Sequence, residues 1–229
     1  MNIGLITKKV IKSIAPTRLT GFYIFLKQYY ENTKRDEQIT VKNRQKIDAL
    51  LQSRVPINLE LGAGENRGIA GWTYVDVNEC CDLVLDLSQP IPFPDNTVSM
   101  IYSSHFLEHF TYAELVKLLD ECRRVLKPGG IFNAAVPDAR IYFDAYLHSE
   151  GFDPDVFCRY APAFNNNAKI DFVNYIAYMD GHHKYMFDKE NLLIILRKTG
   201  FNSVRLREFD KALDMEVRDF QTIYVLAEK

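Results

Sequence analysis

From residue 55 onward the apolar residues fall in short runs, each followed by a polar or glycine-rich stretch. Runs of that length, bounded by turn residues, predict buried strands. They lie at about 55–61, 73–77, 82–87, 98–103, 131–136, 204–208 and 222–227. Leu115, Val116, Leu118, Leu119, Cys122, Val125 and Leu126 recur at helical spacing and predict a helix over 112–126. Lys127-Pro128-Gly129-Gly130 ends that helix in a turn. A second helix is predicted over 189–199, with Asp188 as its N-cap and Gly200 just past its end. Strands alternating with helices make this an α/β chain, built on a mostly parallel sheet with helices on both faces. Residues 138–187 interrupt the alternation. They are rich in Tyr, Phe, Asn and Asp, show no clear strand, and read as a helical cap insertion over the carboxyl edge of the sheet.

Residues 1–54 have a different character. They hold eleven Lys or Arg against four Asp or Glu, and 19–30 are strongly aromatic. Two domains follow: a basic, aromatic, helical segment over 1–54, and a main domain over 55–229. The segment reads as helices that pack on the sheet or close over a ligand, or as a surface that touches an anionic membrane. No run approaches the apolar length needed to span a bilayer. Lys8 and Lys9 are not followed by the apolar core and cleavage site of a signal peptide. Cys80, Cys81, Cys122 and Cys158 show no CxxC spacing, which points to reduced thiols in a cytoplasmic protein. A net charge of −2 gives no global pull toward nucleic acid, and no base pocket is evident.

The chemistry centres on Leu59-Glu60-Leu61-Gly62-Ala63-Gly64. A buried strand running into Gly-x-Gly brings bare backbone close to something bulky, in the place where parallel sheets bind ligands. Asp76, after the second strand, can accept hydrogen bonds from both ribose hydroxyls of a nucleoside lying over the turn; its plainer reading is a turn or cap aspartate. Asp86 can accept from an adenine amino group, or serve as an ordinary turn residue. Of five histidines, His105 follows the fourth strand, and His182 and His183 follow the insertion. Histidine suits proton removal near neutral pH. Tyr142, Tyr146, Tyr160, Tyr175, Tyr178 and Tyr185 either shape an acceptor site or pack the cap.

Together with Val75-Asp76, Asp86-Leu87, Pro92-Phe93-Pro94-Asp95-Asn96, Ser104-His105-Phe106-Leu107-Glu108-His109 and Arg124-Val125-Leu126-Lys127-Pro128-Gly129-Gly130, this series resembles the class I S-adenosylmethionine-dependent methyltransferases. The likeness is to the small-molecule branch with a His-x-Leu-Glu-His stretch, and it covers roughly residues 55–136. It implies a Rossmann-like seven-stranded sheet with an antiparallel last strand, and S-adenosylmethionine as cofactor, released as S-adenosylhomocysteine. By position it places Glu60, Gly62, Ala63 and Gly64 at the methionine end. Asp76 with Val77 would lie at the ribose, Asp86 with Leu87 at the adenine, and Ser104 and His105 beside the reacting centre. His105 and His183 are the candidate catalytic residues, and no metal is implied. The acceptor would be a small molecule methylated on oxygen or nitrogen, with a sugar, surface-glycan or secondary-metabolite intermediate suggested by the ring-rich cap. The sequence says nothing of oligomeric state. After Gly64 the chain departs from the pattern with Glu65-Asn66-Arg67-Gly68, which leaves the roles of Glu65 and Arg67 open.

Three other readings compete. A nicotinamide-dependent oxidoreductase would use GxGxxG with an acid about twenty residues on, and Asp76 comes too early. A binding protein could keep the nucleoside site without catalysis. His105-Phe106-Leu107-Glu108-His109 also matches a zinc-peptidase signature through His105, Glu108 and His109, though no clear third ligand follows.

Overall fold

The computed structural model describes residues 17–65, 69–148, 151–164 and 168–229. Lys8, Lys9, Asn66, Arg67 and Gly68, named above, lie outside the described residues. By compactness the chain divides into Met1–Gln45 and Lys46–Lys229, nine residues earlier than the boundary expected at 54.

The described part of the first unit is one helix, α1 (Thr17–Gln52), whose last turns belong to the second unit. Phe22, Phe25, Tyr29 and Tyr30 are exposed along it. Phe25 stacks on Tyr29 with ring centroids 6.5 Å apart, and the Lys34 ammonium lies 4.7 Å from the Tyr30 ring centre. Among the described residues no helix is long and apolar enough to cross a membrane.

The second unit holds a seven-stranded sheet. Its strands are β1 (Asn58–Leu61), β2 (Thr73–Asp76), β3 (Leu83–Val84), β4 (Val98–Ser104), β5 (Leu126–Pro137), β6 (Asn202–Arg207) and β7 (Thr222–Glu228). The order is β3-β2-β1-β4-β5-β7-β6. Only β7 runs against the others, between β5 and β6. The central strands bury residues on both faces, as parallel strands covered by helices must. Leu59, Leu61, Val98, Ile101, Phe132, Ala134 and Val225 are fully buried in one core.

The order reverses between β1 and β4, which opens a crevice at their carboxyl ends, where doubly wound sheets bind ligands. Ser103 of β4 stands beside Leu61 of β1, so the segments leaving both strands meet there. After β4 comes a short 3-10 turn, Leu107–His109, then α2 (Tyr112–Val125). Thr111 and Glu114 start α2 with a reciprocal capping box, and Leu115, Leu118, Leu119, Cys122 and Val125 bury its core face.

The expected Lys-Pro-Gly-Gly turn takes another form. Strand β5 already begins at Leu126, and residues 127–130 stand out of register opposite the single Ser99. Gly129, at φ 74°, makes that excursion possible. Strand β1 is shorter than expected, because Val55 is exposed and Pro56 has no N–H for a ladder.

The insertion is helical, as its composition suggested. It contains α3 (Ala139–His148), α4 (Pro154–Phe157) and α5 (Ile170–Tyr178). Its neck is closed where Ala139 N–H donates to the Phe187 carbonyl at 2.9 Å. It has its own apolar core, in which Tyr142 stacks on Tyr175 at 5.8 Å. Those two tyrosines pack the cap; Tyr146, Tyr160 and Tyr178 are exposed. Helix α6 (Lys189–Lys198) follows, capped by Asp188, with Gly200 at φ 83° beyond it.

Candidate active site

The turn after β1 is left-handed at Gly62 (φ 71°) and at Gly64 (φ 59°). The two glycines serve different ends. A Cβ on Gly62 would stand 2.2 Å from the Phe106 ring, so the close approach there is made by the protein's own side chain. A Cβ on Gly64 would meet nothing within 4 Å and would point into open space. Gly62 N–H donates to the Val75 carbonyl at 2.9 Å, tying the turn to β2.

Asp76 closes β2. Its two oxygens accept from Gly64 N–H at 3.1 Å and Asn78 N–H at 3.0 Å, which leaves each oxygen a free lone pair. Ala63 is buried beside it, while Val77 is exposed. Asp86 accepts from Ser88 N–H at 2.9 Å in a tight turn. Leu87, expected at an adenine, is a core residue only 4% exposed.

Two buried polar atoms at the ends of neighbouring strands have no hydrogen-bond partner: Glu60 Oε2 on β1 and Ser103 Oγ on β4. Burial raises the Glu60 carboxyl to a pKa of about 7. Unsatisfied polar atoms are rare in protein interiors. Ser103 is in register with Leu61 and Glu60 with Tyr102, so the two side chains leave opposite faces of the sheet, and Glu60 alone is the candidate contact for a polar ligand at the switch point.

Ser104 ends β4, and His105 next to it has φ 50°, a conformation that costs energy outside glycine. Its Nε2 lies 2.9 Å from Thr222 Oγ1, at the start of β7. The Thr222 hydroxyl donates to the Arg218 carbonyl at 2.6 Å, so its oxygen accepts from His105 Nε2–H. The free lone pair of His105 is therefore on Nδ1, which faces Glu108 Oε1 at 3.8 Å. Burial lowers the His105 pKa to about 3, with Arg218 adding to the effect, so the ring is neutral at physiological pH.

His183 and His109 come together, with ring centroids 5.3 Å apart. His183 is buried, and desolvation lowers its pKa to about 4. His105 stays apart from that pair through its bond to Thr222. It also precedes a three-residue 3-10 turn, so His105 and His109 are not successive turns of one α-helix as the zinc-peptidase reading required.

Reasoning from the sequence missed Phe106 as the neighbour of Gly62, Thr222 as the partner of His105, and the meeting of His183 with His109. None has a local signal, because each joins distant parts of the chain.

Residues 61–134 match the family model of a methyltransferase domain. The match spans about a third of the chain, and together with the strand order and the single antiparallel strand it supports an S-adenosylmethionine-dependent methyltransferase of class I. Its cofactor is S-adenosylmethionine. The match favours a methyltransferase over the nicotinamide-dependent oxidoreductase. Among solved structures, the chain is similar to a methyltransferase of Archaeoglobus fulgidus, at 19% identity over 90% of this chain and 100% of that one, with a TM-score of 0.48. It is also similar to one of Mesorhizobium loti, at 17% identity over 80% of this chain and 96% of that one, with a TM-score of 0.49. No curated protein matches the sequence.

Proposed function

We propose that the enzyme methylates a hydroxyl or amino group of a small cyclic acceptor, with a sugar of a surface-glycan or secondary-metabolite intermediate as the leading candidate. The observation that carries this reading is a cavity of about 610 Å³ between α3, α5 and the 184–191 segment. Phe143, Tyr178 and Tyr185 supply ring faces to it, and Arg140, Asp144, Lys184 and Asp188 supply charge. Cavities of this size, apolar with a few placed polar groups, suit small molecules. Lys184 and Tyr185 donate their backbone N–H groups to the Glu108 carbonyl, so one wall of the cavity is fastened to the segment after β4.

The cofactor site falls to residues whose polar atoms have capacity left. Glu60 Oε2, buried and without a partner, would take the ammonium of the cofactor's methionine part. The free lone pairs of Asp76 would accept from the two ribose hydroxyls, beside Gly62, Ala63, Gly64 and Val77. Asp86 would accept from the adenine amino group, with Leu87 supporting its turn from the core. Ser104 and His105 would border the reacting centre. When bound, the cofactor supplies a methyl group already activated on a sulfonium sulfur.

The protein's own part is alignment and proton handling. In this reading His105 Nδ1 accepts a hydrogen bond from the acceptor's hydroxyl or amine, aiming its lone pair. His105 is a weak base, but a hydroxyl proton becomes strongly acidic as its oxygen gains the methyl, so a weak base suffices there; an amine must bind as the neutral base, and its methylated product keeps its proton as an ammonium. His183 would sit on the cap side of the same acceptor. An assay of S-adenosylhomocysteine release across sugar nucleotides, amines and phenols tests the reading. His105→Ala is expected to lower kcat at least tenfold on the active acceptor with cofactor affinity nearly unchanged. Turnover at the wild-type rate would remove His105, and activity confined to macromolecular acceptors would remove the small-molecule reading.

A second proposal concerns α1, on the strength of its exposed Phe22, Phe25, Tyr29 and Tyr30 beside Lys27 and Lys34. We infer that it contacts anionic membrane surfaces. The intact chain is expected to co-sediment with phosphatidylserine vesicles, and a Phe22→Ser, Phe25→Ser, Tyr29→Ser variant to stay in the supernatant. Equal partition of the two proteins would dismiss the idea.

A further inference from the structure

Glu108, His109 and His183 each offer a ligand atom, and the three atoms lie within 4.8 Å of one another. Glu108 and His183 are buried, and His109 is half-buried. Glu108 is only 2% exposed, and its Oε2 has no hydrogen-bond partner. A buried carboxylate oxygen left alone calls for a partner, and a cation is the strongest one available.

The histidines are arranged to serve it. His109 Nδ1 lies 2.9 Å from the His182 carbonyl, and His183 Nδ1 lies 2.8 Å from the Ile176 carbonyl. A carbonyl can only accept, so both Nδ1 atoms carry the proton and both Nε2 atoms carry a lone pair. A backbone carbonyl on the far nitrogen is the usual support of a metal-binding histidine, fixing its tautomer and its ring plane. The cluster is also held in place independently of any ion. Lys184 and Tyr185 N–H both donate to the Glu108 carbonyl, which binds the stretch after His183 to the residue before His109.

We propose that Glu108, His109 and His183 form a site for one divalent transition-metal ion of the zinc class. Two imidazole nitrogens and one carboxylate are a donor set that Zn²⁺ prefers, and that Mg²⁺ and Ca²⁺, which favour oxygen, do not. Around a tetrahedral ion with bonds of about 2.0–2.2 Å the donors stand about 3.4 Å apart, so loading draws the three side chains together by little more than about 1 Å. Three protein ligands leave a coordination position for water or a substrate oxygen. His183 directly precedes Lys184 and Tyr185, which line the proposed acceptor cavity, while the three ligands themselves stand outside its lining. The metal site itself does not depend on the identity of the acceptor.

The test uses the full chain stripped with a chelator and then titrated with Co²⁺ as a spectroscopic probe. The expected result is one Co²⁺ per chain, visible d–d absorption of a four- or five-coordinate nitrogen–oxygen site, and displacement by Zn²⁺. Glu108→Gln and His109→Gln are each expected to weaken Co²⁺ binding by roughly tenfold or more, with circular dichroism unchanged. His109 is half-exposed, so its replacement keeps the test valid if the Glu108 variant fails to fold. Absence of stoichiometric uptake overturns the proposal. So does a thiolate-to-cobalt charge-transfer band, which would place the ion on Cys80 or another cysteine, or uptake that neither variant weakens. S-adenosylhomocysteine release by the Co²⁺-loaded protein is measured alongside: failure with every small acceptor while stoichiometric Co²⁺ binding is intact counts against the acceptor reading alone.

Discussion

Gly62→Ala is expected to destabilise the domain by roughly 2–5 kcal/mol, adding left-handed strain to core overpacking. The strain comes from φ 71°, and the overpacking from a methyl placed 2.2 Å from the Phe106 ring. Chemical denaturation reads this directly. Adding Phe106→Ala removes the clash and leaves the strain, so the double variant is expected to be more stable than the two single losses predict. Strict additivity would mean that Phe106 yields freely and that Gly62 is required only for its backbone. Gly64→Ala provides the contrast. Its Cβ enters open space, so stability is expected to fall by only about 1–2 kcal/mol, the strain alone. The open space is the proposed cofactor site, so cofactor affinity is expected to fall at least tenfold. An unaltered affinity in Gly64→Ala would move the cofactor away from this turn.

The second large effect is pH-linked and belongs to Glu60. Burial raises its pKa to about 7, so the free protein holds a proton there at pH 6 and has lost most of it by pH 8. A cationic ammonium binds the ionised form. S-adenosylhomocysteine is therefore expected to bind about tenfold more tightly for each pH unit up to about 7, and then to level off. Calorimetry at pH 6 in two buffers of different ionisation enthalpy should register about one proton released per ligand bound. The stability sign is the reverse. Because the folded pKa is raised, Glu60 supports the fold fully below the unfolded value near 4.5 and loses that support as pH rises through about 7. Glu60→Gln is thus expected to stabilise the ligand-free protein at pH 8 while flattening and weakening ligand binding. Affinity independent of pH in the wild type would rule out Glu60 as the ammonium partner.

The sheet was legible because its strands are short apolar runs between turn residues. Residues 73–77 and 98–103 were predicted within one residue of β2 and β4. Errors came where composition and pairing diverge. Val55 is apolar but exposed, so it lengthened the expected first strand. The 82–87 run yields only Leu83–Val84, because an edge strand pairs on one side alone. Lys127–Gly130 carries every sign of a turn, yet pairing on both sides of it makes one interrupted strand. In the candidate site, the turn at Gly62 and Gly64 and the strand end at Asp76 were readable because strand ends announce themselves locally. The contacts of His105 with Thr222 and of Glu108 with His183 were not, because only the insertion's closed neck and the docking of β7 create them.

That late strand has a consequence for synthesis on the ribosome. β7 lies between β5 and β6, so β6 has no place in the sheet until residues 222–228 have been translated. Until then a nascent chain presents the unpaired backbone of β5, with Phe132, Ala134 and Val136 along it, as an open template for other polypeptides. Thr222 arrives with the same strand, so the hydrogen bond that orients His105 forms only once β7 has docked.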